Sequence, residues 1–386
     1  MKVLLVGNYL PDRQDSMQIY ASMLEEGLRA RGYEVCLLQP PAVLGPRVAE
    51  NSPLFKWLGY ADKFVLFRRE LRRAARSADV VHLCDHSNAM YIPALAHTAH
   101  VITCHDVLAI RSAMRHFPEN PVSGTGRMFQ RLIARGLRRA GAIICVSGKT
   151  RDDLKQYLAV PEDRLHVIPN GLAWPYRPLD AEASAPLLAP LGLRPGEPYF
   201  LNVGGNHWYK NRGAAIEIFA ELRKLSRYAG ASLVMAGGPM MPELRAIAEK
   251  CGLGDALVEA AGPSNEQLQA LYSGALAMLF PSLEEGFGWP ILEAQACGCP
   301  VAIRDRPPMN DGAGGAAILI DPAKPESAAR TIATALEEPT RMRTEGLRNA
   351  ATYTAKRMLE QCEELYREVV TTTRAEVTRG PRLEQE

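Results

Sequence analysis

Short, continuously apolar runs alternate with helix-patterned stretches along almost the whole chain, and this alternation constrains the fold more than any other feature. In the first half the runs lie at 2–7, 33–38, 79–84, 99–104, 141–146 and 165–168. In the second half they lie at 199–204, 231–236, 256–260, 276–280, 300–304 and 316–320. Helical stretches separate them, near 16–31, 61–77, 124–139 and 147–158, then near 211–228, 241–251, 264–273, 287–297 and 326–337. A strand that is apolar on both of its faces must be covered on both, which is the situation of a parallel strand between helix layers. The pattern predicts an α/β chain with two doubly wound, Rossmann-like sheets.

The first series stops at Pro169-Asn170-Gly171, and a proline-rich stretch follows with Pro175, Pro178, Pro186, Pro190, Pro195 and Pro198. The expected division is a first domain over 1–171, a crossing over 172–198 and a second domain over 199–340. A helical segment over 341–371 would follow, with a polar, flexible tail over 372–386. The chain has 386 residues, of which 47% are hydrophobic and 23% charged, which excludes a disordered chain or a coiled coil. The formal charge of +2 conceals an asymmetry: 24 basic residues against 16 acidic ones through residue 178, then 21 against 27. A nucleic-acid partner is not expected from so even a total, whereas a basic and an acidic half fit two domains with different partners. Open α/β sheets take ligands at the carboxyl ends of their strands, so the useful residues should stand just after strands, in a cleft that the two domains face.

The eight cysteines show no zinc spacing, and no Asp-x-Asp is present. The expectation is buried thiols, no metal and no cofactor. The start, through Gly7, Asn8 and Pro11, does not read as a signal peptide, and no run approaches the ~18 apolar residues of a membrane span. The expected location is cytoplasmic, free or on the inner face of the membrane.

The strongest constellation is Glu285-Gly286-Phe287-Gly288-Trp289-Pro290-Ile291-Leu292-Glu293-Ala294, directly after the run ending at Phe280. Glu285 and Glu293 stand eight apart, close to two turns, which would put both on one face of a helix. Gly286 and Gly288 permit close backbone approach, and carboxylates accept hydrogen bonds from vicinal hydroxyls. A second constellation, Gly204-Gly205-Asn206-His207-Trp208-Tyr209-Lys210-Asn211-Arg212, also follows a strand. There a glycine pair and a compact cation suit a phosphate. A third is His105-Asp106, at the end of the run 99–104.

With Cys297-Gly298-Cys299-Pro300-Val301 behind it, the Glu285–Glu293 string resembles the E-x7-E segment of retaining glycosyltransferases of family 4, two-Rossmann-domain enzymes of the GT-B fold that use nucleotide-sugar donors. The resemblance implies the roles that follow. Glu285 holds donor-sugar hydroxyls and Glu293 the ribose, while the backbone of Gly286, Phe287 and Gly288 lies against sugar and diphosphate. Lys210 binds the diphosphate from the segment that opens with Gly204 and Gly205; where the family often has an arginine directly before that lysine this chain has Tyr209, and Arg212, after the Asn, is the candidate substitute. His105 meets the donor sugar from the first domain, with Asp106 orienting it. The C-terminal helix crosses back to the first domain. Where the family has glycines in its first loop, this chain has Asp12-Arg13-Gln14-Asp15-Ser16-Met17, and Pro308-Met309-Asn310-Asp311 replaces the usual Pro-Glu.

Arg68, Arg69, Arg72, Arg73 and Arg76 cluster on one predicted helix, and Arg127, Arg131, Arg135, Arg138 and Arg139 on another. They read either as attraction to anionic lipid headgroups or as two solvated faces. The expected activity is metal-independent transfer of a hexose with retention, first mannose from GDP-mannose, to a glycan or lipid-linked glycan. A UDP-sugar-dependent transferase and a non-catalytic nucleotide-sugar-binding subunit are the alternatives. A dinucleotide dehydrogenase is disfavoured, because the first strand exit is not Gly-x-Gly-x-x-Gly.

Overall fold

The computed structural model describes residues 1–44, 47, 53–194 and 196–379. Two units result, Met1–Ala173 with Ala355–Glu386, and Trp174–Thr354.

In the first unit six parallel strands, β1 (Lys2–Val6), β2 (Glu34–Leu38), β3 (Val80–Leu83), β4 (His100–Cys104), β5 (Ala142–Cys145) and β6 (Leu165–Val167), lie in the order β2-β1-β3-β4-β5-β6. Its helices before the crossing are α1 (Asp15–Ala30), α2 (Pro53–Ala61), α3 (Phe67–Ala75), α4 (Leu108–Ala113), α5 (Gly124–Leu137) and α6 (Gly148–Leu158). A π-helical stretch, Asp62–Leu66, joins α2 to α3. The central strands are buried on both sides, as their continuous apolar character requires. The edge strand β2 is not: its Cys36 is exposed, which corrects the expectation that the thiols are buried throughout. Ser147 caps α6 by accepting from the Thr150 amide at 3.1 Å.

The second unit repeats the plan. Its strands β7 (Tyr199–Gly204), β8 (Ser232–Gly237), β9 (Leu257–Ala261), β10 (Met278–Phe280), β11 (Val301–Arg304) and β12 (Ile318–Ile320) are ordered β12-β11-β10-β7-β8-β9, again parallel. Its helices are α7 (Ala181–Leu188), α8 (Arg212–Arg223), α9 (Pro242–Lys250), α10 (Asn265–Gly274), α11 (Trp289–Ala296), α12 (Met309–Gly312), α13 (Pro325–Ala335) and α14 (Pro339–Ala350).

Three local expectations change. The crossing over 172–198 contains α7, started by the Asp180 carboxylate on the Ala183 amide at 2.8 Å, with Ser184 and Leu188 one turn apart on its buried side. The stretch 341–371 is not one helical segment. Helix α14 stays in the second unit, where Asn349 Nδ2 donates to Gln295 Oε1 at 2.7 Å and to the Gly312 carbonyl at 2.8 Å. After a break, α15 (Ala355–Arg379) packs in the first unit against α1, β3 and β4. Residues 372–379 thus continue a helix rather than form a loose tail, and 380–386 lie outside the described residues.

Helix α15 is fixed by polar as well as apolar contacts. His82, fully buried on β3, bonds the Tyr366 hydroxyl through Nδ1 at 2.5 Å and Thr103 Oγ1 through Nε2 at 2.7 Å. Burial drives that imidazole down to about 3, so it is neutral at physiological pH.

Candidate functional site

In both sheets the chain begins in the middle, builds outward on one side, then returns to build the other. The reversal falls between β1 and β3 in the first sheet and between β7 and β10 in the second. A ligand site of an open α/β sheet forms at such a switch, beyond the carboxyl ends of its two strands.

At the second switch the structure brings Lys210 and Glu285 together. Lys210 follows β7 and Glu285 follows β10, and Lys210 Nζ donates to Glu285 Oε1 at 2.7 Å. The side chains are only 14% and 8% exposed. The lysine stem runs over Gly204, and its ammonium stands 5.1 Å from the centre of the Phe280 ring. Glu285 is not on the helix, contrary to the two-turn reading. Gly288, at φ 94°, starts α11 from the left-handed region, and Pro290 in the first turn fixes the direction of the helix. Glu285 therefore sits in the loop from β10, while Glu293 stands on α11.

Glu293 accepts from the Tyr272 hydroxyl at 2.8 Å. Loss of hydration raises its carboxyl to about 7, against the opposing pull of that hydrogen bond and of the Lys210 charge. Its neighbour in sequence, Glu284, is committed elsewhere, to Arg306 at 2.7 Å. Phe287 packs edge-on against Tyr353.

Arg212 opens α8 and is almost fully buried. Its Nη1 donates to Asn206 Oδ1 at 2.5 Å and to the Gly238 carbonyl at 2.9 Å. Its Nε and Nη2 are buried without a hydrogen-bond partner. Burial lowers its affinity for the proton, partly offset by Glu259. Gly238 lies beside this group through Asn206, while Gly205 lies against the His207 ring. Gly237, at φ 103°, permits the close approach of β7 and β8: a Cβ there would lie 2.7 Å from the Gly204 carbonyl oxygen.

His105 belongs to the first unit. It is buried, with Nε2 on the Cys84 carbonyl at 2.9 Å and its ring edge-on to Tyr20. Burial lowers its basicity, against the pull of Asp85. Asp106 accepts from the Leu108 amide at 2.8 Å, in the turn that leads into α4; no bond to the His105 ring accompanies it.

Sequence reasoning missed the residues that occupy the first switch. Asn8, after β1, donates to Asp85 Oδ2 at 2.8 Å, and Asn88 donates to Asn8 Oδ1 at 2.8 Å. Asp85 Oδ1 lies 2.9 Å from His86 Nδ1. Burial opposes both charges, yet each supports the other: Asp85 is held below the ordinary carboxylate range and His86 up at about 9. Asp85-His86 follows β3 as His105-Asp106 follows β4, so the strand-exit rule alone would have found the pair.

Two family descriptions match the chain, "Glycosyltransferase Family 4" over residues 17–173 and "Glycosyl transferases group 1" over residues 187–358. The chain belongs to the family 4 glycosyltransferases. Its fold is GT-B: sucrose-phosphate synthase from Thermosynechococcus elongatus superposes with a TM-score of 0.75 over 96% of this chain and all of that one, at 19% identity. Among curated relatives, D-inositol 3-phosphate glycosyltransferase of Segniliparus rotundus is 29% identical over 65% of this chain and 55% of its own length. O-antigen chain mannosyltransferase B of Escherichia coli is 26% identical over 65% and 64%. The matched part thus spans from about half to just under two thirds of these two relatives. No helix among the described residues is long and apolar enough to cross a membrane.

Proposed function

We propose that this family 4 glycosyltransferase moves a hexose from a nucleotide-sugar to a glycan or lipid-linked glycan acceptor, with retention and without a metal ion. The observation that carries the reading is the Lys210–Glu285 pair across the β7/β10 switch, with the Lys210 charge also felt at Glu293. Breaking the sugar–phosphate bond puts negative charge on the diphosphate. Fixed donors are needed there, and losing one typically costs ~3 kcal/mol of transition-state stabilisation. Lys210 is one such donor and the two unpartnered nitrogens of Arg212 are others. Among the described residues no three His, Cys, Asp or Glu side chains are placed to hold a metal ion.

In this reading Glu293 accepts from the ribose hydroxyls. Glu285 accepts from the sugar hydroxyls while Lys210 turns to the phosphate, and the backbone of Gly286, Phe287 and Gly288 lies along the donor. His105 contacts the sugar. Glu285, already engaged with an ammonium, is a positioning group, and the acceptor oxygen attacks from the face that the phosphate leaves, handing its proton to that phosphate. Mannose from GDP-mannose is the donor we favour, on the likeness to the O-antigen mannosyltransferase. A lipid-linked acceptor is reached at the inner membrane surface, where the arginines of α3 and α5 attract anionic headgroups.

A thermal-shift panel of GDP, UDP, ADP and their sugars tests the donor. A ligand at 100 times its dissociation constant adds ~2.7 kcal/mol, so GDP and GDP-mannose should raise Tm clearly and the others little. A shift with UDP-glucose alone replaces mannose by glucose, and a panel with no shift overturns the reading.

A further inference from the structure

One surface of the first unit combines exposed apolar groups with unpaired arginines in a way that neither the core nor the switch uses. Around α5 at 100° per residue, Arg127, Arg131, Arg135, Met128 and Leu132 fall within one arc of about 140°. Ile133, Ala134 and Leu137 occupy the opposite, buried side. Met128 is 56% and Leu132 39% exposed. The apolar strip does not end at the helix. Phe129 stacks on Tyr60 of α2 with ring centres 5.4 Å apart, and Tyr60 meets the Trp57 ring edge-on at 5.9 Å. Trp57 is itself 62% exposed, and Leu54, one turn before it, 59%. A path of Trp57, Tyr60, Phe129, Leu132 and Met128 therefore runs across two helices. A groove of about 600 Å³ lies between α5 and Met114 beside it.

The charges set the partner. Helix α5 contains no acidic residue, and the guanidinium groups of Arg127, Arg131 and Arg135 have no hydrogen-bond or ion-pair partner among the described residues. An apolar strip edged by unpaired cations suits a surface that is anionic outside and apolar just beneath. Long side chains can satisfy both layers, stems on the apolar strip and guanidinium groups at the phosphates. We propose that this face docks on an anionic lipid bilayer, with Arg127, Arg131 and Arg135 at the headgroups and Leu54, Trp57, Met128 and Leu132 entering the acyl boundary. This goes beyond headgroup attraction by arginines, because it adds insertion and names the face that inserts. It gives a place to the lipid-linked acceptor of the reading above, on which only its purpose rests.

The test is sedimentation of the full chain with phosphatidylcholine vesicles containing or lacking phosphatidylglycerol, without donor or acceptor, at low and at moderate salt. Binding should need the anionic lipid and weaken as salt rises. Replacing Arg127, Arg131 and Arg135 by Gln should lower partitioning about 100-fold, at about fivefold per charge near the surface. M128S with L132S should lower it about tenfold while leaving the salt dependence in place. Brominated lipid should quench part of the tryptophan fluorescence in the parent chain, and that part should be missing in W57F. All six positions are on the surface, so unchanged circular dichroism and Tm establish folding. Equal binding to both vesicle types, no binding at low salt, indifference to the Gln substitutions, retention on heparin with no vesicle binding, or no quenching would each overturn the proposal. Since donor is absent throughout, lipid binding can fail while GDP-mannose binding stands, and the reverse.

Discussion

The two strand-order switches are built alike and finished differently. At β1/β3, hydrogen bonds join Asn88 to Asn8 and Asn8 to Asp85, and the Asp85 and His86 charges face each other 2.9 Å apart as an ion pair, without a hydrogen bond between Oδ1 and Nδ1. At β7/β10 a lysine and a glutamate pair under partial cover, Glu293 is held near neutrality of charge, and Arg212 keeps two buried nitrogens without a partner. Buried donors without acceptors are rare, because each costs about 1–3 kcal/mol. The first switch sets its two charges against each other, whereas at the second two guanidinium donors face no acceptor at all. The same α/β frame therefore separates a switch whose changes should be felt in stability from one whose changes should be felt in ligand affinity and rate.

The largest expected effect is on rate. Lys210→Ala should lower kcat/KM about 100- to 1000-fold, measured as sugar transfer or slow donor hydrolysis, because a fixed cation at the leaving group is lost. An unchanged rate would remove Lys210 from the donor site. The contrasting change is Asp85→Asn, which leaves His86 buried beside a neutral group. Breaking a buried pair from one side costs about 3 kcal/mol. The sign follows from both partners. His86, raised above its unfolded value, contributes fully below pH 6.5 and loses its contribution as pH rises through about 9. Asp85, lowered, contributes above its unfolded value and loses that on acidification. The Tm deficit of Asp85→Asn should thus be greatest near pH 5–6 and shrink toward pH 10, while GDP affinity stays as it was. A deficit independent of pH would show that the pair's charges are not what the first switch depends on.

Arg212→Met sharpens the contrast from the other side. It removes the Nη1 bonds but also two unsatisfied buried donors, so the Tm of the ligand-free chain should move by only a few degrees. GDP affinity should fall about 30-fold, read by calorimetry, since donors to the phosphates are lost. A large stability loss with intact GDP binding would make Arg212 a structural residue of the β7 and β8 exits.

How much of this was legible depended on the kind of signal. The twelve strands were readable because a parallel strand is apolar on both faces, a pattern that survives without any partner in view. Helix α7 was hidden because its prolines read as linker, while its start rests on one carboxylate, Asp180. Lys210, Glu285 and Glu293 stood out as a spaced set. The helix assumed for both acids was wrong, because a glycine at positive φ breaks the stretch between them. The state of Arg212 could not be read at all, since whether a guanidinium is buried depends on two glycine-rich exits meeting from residues 26 apart in sequence. His82 looked like one more strand residue, and its role in holding α15 needs a tyrosine 284 residues away.

The subtlest contrast concerns a single proton. Glu293 has its carboxyl raised to about 7, so part of the ligand-free population is neutral at pH 7. Because the folded value lies above the unfolded one, this group's contribution to stability is complete below about pH 4.5 and is lost as pH rises through 7. Glu293→Gln should therefore flatten the pH profile of Tm: level with the parent near pH 4.5 and higher by several degrees near pH 8, equivalent to about 3 kcal/mol. Affinity should run the other way. Ribose hydroxyls donate to a carboxylate better than to a neutral acid, so the donor KM of the parent should fall severalfold, at most about tenfold, between pH 6 and 8. In Glu293→Gln the donor KM should be higher and level across that range. If the parent KM were level too, the carboxyl would not face the donor, and the second switch would be reduced to the Lys210–Glu285 pair and Arg212. If KM and Tm fell together over the same pH interval, one side chain would carry both costs. It would lose stability as it ionises and gain ligand by the same ionisation, which is the behaviour of a group held for a partner rather than for the fold.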